Sequence, residues 1–112
     1  MDRKTEAEIS DLLTRWSNPE RVAEILSGRL SEPDTSVEQA LTIFNFLIHS
    51  GRFQQMLKPI LARIQAGLPV PWAALVELLA RNNLRPTKEV LEAIFKGAHE
   101  QIVLYNFAFQ SF

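Results

Sequence analysis

The chain has 112 residues, enough for one domain with a core and too few for two ordinary ones. With 46% apolar residues, 22% charged residues and a net charge of −1, its composition fits neither a disordered chain nor one dominated by a nucleic-acid-seeking field. It has no cysteine, which excludes a disulfide framework, a thiolate metal site and a cysteine nucleophile.

Apolar residues recur at helical spacing almost throughout, and strict alternation never lasts beyond a few residues. The expected fold is all-α, a single domain over residues 1–112. The first helix carries Ile9, Leu12, Leu13 and Trp16 on one stripe, with Thr5 and Glu8 at capping-box spacing. Asn18, Pro19 and Glu20 then form a helix start, and Val22, Ile25 and Leu26 follow up to a stop at Gly28. LSEPDTS is a loop, after which Thr35 and Glu38 suggest a capping box for a third helix ending at Ser50 and Gly51. That helix has Phe44 and Leu47 on its main stripe but Ile43 and Phe46 on another side, so it should be sandwiched.

A fourth helix is expected from Arg52 to Ala66, kinked or divided at Pro59, which lacks an amide donor, and ended by Gly67. Pro69 and Pro71 lead to a fifth, with Trp72, Leu75, Val76 and Leu79 inward and Asn82 or Asn83 as its stop. The last begins near Thr87 and runs either as one long helix or as two pieces broken at Gly97. Its final stretch, VLYNFAFQSF, is apolar around most of its circumference and bears no charge. One neighbouring helix cannot cover such a segment. Val103, Leu104, Phe107, Phe109 and Phe112 are therefore candidates for self-association as a homodimer, the alternatives being a fold-back into the core or a chain that continues.

The third and fifth helices begin about 35 residues apart, and the fourth and sixth likewise, a period of stacked helical hairpins. The stretch FNFLIHSGRFQQMLKPILARIQAGLPVP, Phe44 to Pro71, resembles a tetratricopeptide or pentatricopeptide hairpin, and through it the α-solenoids in general. The resemblance implies six or seven helices in antiparallel hairpins, a concave face for a protein or peptide, and no intrinsic catalysis. A compact helical bundle is the alternative arrangement, and a segment of a longer helical-repeat protein the alternative extent.

Charge is unevenly spread. Residues 1–40 hold nine acids against five bases, whereas residues 41–88 hold six bases against Glu77 alone. Arg52 and Arg63 fall on one flank of the fourth helix, and Arg81, Arg85 and Lys88 cluster at the turn after the fifth. With Phe46, these are the candidate partner-binding residues, for an acidic peptide or, in the alternative reading, for RNA. The bland account is ordinary surface pairing with the acidic first forty residues.

His49 and His99 have no partner at metal-ligand spacing, the serines fall at caps and loops, and the glycines read as helix stops. No catalytic residue, cofactor or metal site is expected. Early acids occupy the place of a secretory leader, and no run reaches the roughly 18 apolar residues of a spanning helix. The expectation is a noncatalytic interaction or scaffold module of the cytoplasm with no membrane partner, an enzyme with unrecognised chemistry being the third reading.

Overall fold

The computed structural model describes residues 2–110, and side chains over residues 2–100. It contains α1 (Arg3–Arg15), α2 (Pro19–Arg29), α3 (Val37–His49), a 3₁₀ turn (Phe53–Met56), α4 (Leu57–Gln65), α5 (Trp72–Arg81) and α6 (Lys88–Gln110), with no strand among the described residues. The all-α expectation holds.

Helix ends follow local chemistry. The Asn18 side chain accepts a hydrogen bond from the Glu20 amide at 3.0 Å, and Pro19 takes the first helical position, where no amide donor is needed. At α3 the capping box lies one residue beyond its expected place: Ser36 Oγ accepts from the Gln39 amide at 3.1 Å, and Gln39 Oε1 accepts from the Ser36 amide at 2.8 Å. Thr35, the expected cap, is instead buried in the loop.

Three helices stop in the same way. Arg52 N–H reaches Leu47 O at 2.8 Å after α3, Leu68 N–H reaches Arg63 O at 3.1 Å after α4, and Leu84 N–H reaches Leu79 O at 2.9 Å after α5. Each Schellman closure needs a left-handed residue before the donor, supplied by Gly51 (φ 75°), Gly67 (φ 72°) and Asn83 (φ 52°).

The expected fourth helix is divided, and Pro59 shows why. It is the third residue of α4, inside the first turn, and cannot donate to the carbonyl of Gln55, so the preceding residues take the 3₁₀ form. α6 runs unbroken through Gly97. That glycine has a packing task instead: a Cβ built on it would overlap the six-membered ring of the Trp72 indole. Gly28 likewise lies within α2 and does not stop it.

The helices associate in a serial order. α1 packs on α3 and α3 on α5; α2 packs on α4 and α4 on α6; α1 with α2 and α5 with α6 are paired across. Among the described residues, the first two helices make no contact with the last two. α3 is sandwiched as expected, touching α1, α2, the 3₁₀ turn and α5. One continuous core runs along the stack, from Val22 and Leu26 through Phe44, Leu47 and Met56 to Leu75 and Ile94. Fully burying each such side chain contributes roughly 1.5–3 kcal/mol.

The ends of the stack are less covered. In α1 only Ile9 of the expected stripe is buried; Leu13 and Trp16 are each 41% exposed, and the Arg21 guanidinium sits 5.7 Å from the Trp16 ring centroid. Trp16 is therefore a surface residue, in cation–π contact, rather than core. At the other end, Phe95 of α6 is exposed. No described helix is long and apolar enough to cross a membrane.

Candidate functional site

The basic residues singled out in the sequence do not come together on one face. Arg63, expected beside Arg52 on a surface flank, is fully buried. Its Nε donates to Pro69 O at 2.7 Å, its Nη1 to Leu30 O at 3.0 Å and Glu32 O at 3.4 Å, and its Nη2 to Thr35 O at 2.7 Å. The guanidinium thus fastens the α2–α3 loop to the α4–α5 connection, using the planar fork of donors that lysine lacks. Burial pushes its pKa below the ordinary arginine value, and carbonyl dipoles rather than a carboxylate offset the lost hydration.

Arg52 is mostly covered and bonded to Glu20 of α2 at 3.1 Å, and Gln55 donates to the other oxygen of that carboxylate at 2.8 Å. Arg81 pairs with Glu77 within α5, and Lys88 stands 3.9 Å from Glu92 within α6. Arg85 is exposed, with no ion pair among the described residues. Phe46 is half-buried and lines a shallow groove of about 270 Å³ between α1 and α3, together with Ile9 and Thr42 and with Glu6 and His49 at its edge. His49 is exposed, with its Nδ1 2.7 Å from Asn45 O. The candidate self-association residues Val103, Leu104, Phe107, Phe109 and Phe112 lie outside the described residues.

A larger concavity lies on the even-numbered side of the stack. It measures about 700 Å³ and is bounded by α4, the α4–α5 connection and α6. Leu61, Ile64, Leu68 and Val70 supply an apolar wall, with Trp72 at the start of α5. The facing wall is the flank of α6 that carries Ala93 and Gly97. These small residues leave the space open, and Trp72 packs directly on the Gly97 backbone. Glu89, Glu92 and Glu100 stand along this wall with Lys96, and Glu92 is also 3.9 Å from Lys88.

The cleft is held in shape by what surrounds it. Pro69, one of its lining residues, has its carbonyl fixed by buried Arg63, and Gly67 closes α4 through a backbone bond to Ile64 at 3.0 Å. The sequence pattern places Trp72 inward on its helix and singles out none of the α6 glutamates. The available signal was the spacing in α6, where Ala93 and Gly97 lie one turn apart between glutamates. Among the described residues, no three His, Asp or Glu side chains cluster closely enough to hold a metal ion. No protein-family model, curated protein or solved structure matches this chain.

Proposed function

We propose that this chain is a noncatalytic protein-interaction module of α-solenoid type, made of three stacked helical hairpins and presenting a cleft to a protein or peptide partner. The hairpins are α1 with α2, α3 with the 3₁₀ turn that leads into α4, and α5 with α6. The observation that carries the reading is the serial contact order, in which each helix touches only helices one or two places along the chain and the first pair is clear of the last. Stacked hairpins of tetratricopeptide-like type have that order, and such stacks act by offering extended surfaces to partners.

Native-state hydrogen exchange tests the architecture. In a stack, each unit is held only by its neighbour, so the α1–α2 amides should exchange through an opening smaller than global unfolding. Exchange of all helices through one common opening would contradict it. Function is tested by selecting peptides from a displayed library on the intact chain and mapping bound peptide by amide chemical shifts. Binders should perturb the cleft and lose affinity with Ile64→Asp. A library that yields no binder overturns the interaction reading, and nucleic acid co-purifying with the chain, read as a raised 260/280 nm ratio, favours RNA instead.

A further inference from the structure

The cleft between α4 and α6 has two chemical characters. Its floor is apolar, formed by Leu61, Ile64 and Trp72, and its α6 edge is acidic. Building on the interaction reading, we infer that its occupant is a basic amphipathic helical segment of a partner protein, apolar residues on the floor and lysines or arginines along α6.

Charge decides the sign of the partner. Three glutamates and one lysine line the cleft, and of the two bases on α4 Arg63 is turned into the interior with its donors on carbonyls, while Lys58 is exposed outside the lining. Residues 101–112 add no charged side chain to that end of α6. A phosphate backbone or an acidic peptide would meet repulsion here, whereas cationic side chains would be steered in.

Shape decides the class of occupant. Glu89 to Glu100 is about three helical turns, so the acidic edge runs about 16 Å in a line, whereas a compact organic cation needs charge converging on one point. A cleft of 700 Å³ lies in the range that encloses a few side chains and not a whole domain. A helix offering apolar anchors at i, i+3, i+4 and i+7 flanked by bases fits both features. The wall is preformed, because Arg63 fixes Pro69 and the Trp72 indole rests on Gly97, so little ordering opposes binding.

The test uses the full chain carrying Trp16→Phe, which leaves Trp72 as the single indole reporter. It is titrated with synthetic leucine–lysine amphipathic helices of about sixteen residues, with the leucine–glutamate counterpart, and with a serine–lysine peptide that lacks the apolar face. The leucine–lysine peptide should shift Trp72 emission and bind at least tenfold tighter than either control, weakening as salt rises. Reversing Glu89, Glu92 and Glu100 to Lys should invert the preference between the two leucine peptides. The same reversal at Glu6, Glu24 and Glu38, on the first three helices, should leave it unchanged. If the leucine–glutamate peptide binds as well, or the remote reversal inverts the preference equally, the basic-segment inference is wrong while the interaction reading stands. If library-selected peptides bind the cleft but no leucine–lysine helix does, the inference falls alone; if no peptide of either kind binds, both fall.

Discussion

On one flank of α4 Arg63 is sealed in the interior with its donors on the carbonyls of two loops; on the other, Leu61 and Ile64 floor an open cleft. Leu61 and Arg63 are two residues apart and so about 160° apart around the helix. The comparison inverts the ordinary expectation that charge faces water and leucine faces the core. The charge is inside because two loops of irregular backbone, needing donors for carbonyls that no helix satisfies, surround one fork-shaped donor. The apolar side chains border space because the facing helix offers an alanine and a glycine at their level. The two flanks are also coupled: the carbonyl of Pro69, a wall of the cleft, is held by the arginine behind it.

Breaking the sealed flank should have the largest effect. Arg63→Met removes the donors of four hydrogen bonds and leaves the Leu30 and Thr35 carbonyls buried without them, so the expected loss is about 3–5 kcal/mol in urea unfolding. Arg63→Lys should recover only part of it, since one ammonium cannot span carbonyls on two loops. If Arg63→Met unfolds with the parent's midpoint, the seam does not hold the loops together.

The open flank is probed by Gly97→Ala. At an ordinary site inside a helix this change stabilises by about 1 kcal/mol. Here the new methyl group would strike the Trp72 ring, so the expected sign is reversed, a loss of about 1–3 kcal/mol with altered Trp72 emission. Combining it with Trp72→Leu should restore the usual helix gain. A stabilised single variant with unchanged emission would show that the wall of the cleft is not built on this contact.

The contrast also shows what the sequence made legible. Periodicity and caps located the helices, because Asn18–Pro19 and Gly51 act through bonds to residues a few positions away, although the α3 box falls at Ser36–Gln39 rather than at the expected Thr35–Glu38. The sandwiching of α3 was readable from its two apolar sides, and the division at Pro59 from a missing amide. Arg63 was not readable as an interior residue, because three of its four acceptors are carbonyls of residues about 30 positions earlier and leave no side-chain signature. Trp16 fell short of the core for the complementary reason: its stripe is sound, but no neighbouring helix covers the end of α1. Gly97 looked like a stop because glycine in a helix usually costs stability, and the ring that occupies its missing side chain is contributed by another helix.

A site away from both flanks sharpens the comparison with the smallest effect. The Asp2 carboxylate accepts from the Thr5 hydroxyl, and its amide donates to Thr42 Oγ1 at 3.1 Å, tying the start of α1 to α3. That side-chain bond, aided by the Thr5 and Lys4 amides, holds the Asp2 carboxyl below its ordinary value. The ionised form is therefore favoured by folding. Its contribution is complete above the unfolded-state pKa of about 3.9 and is lost as pH falls through the lower folded value. Asp2→Asn should lower stability slightly at pH 7, where the contribution is complete, and flatten the acid limb below about pH 4, so that variant and parent converge at the lowest pH. The same limb in Arg63→Met should keep the parent's slope at a lower height, because that guanidinium stays charged throughout the range. A steepened acid limb in Asp2→Asn would mean that the carboxylate is not stabilised where it stands. A parent-like limb would place its hydrogen bond to Thr5 in the unfolded chain as well.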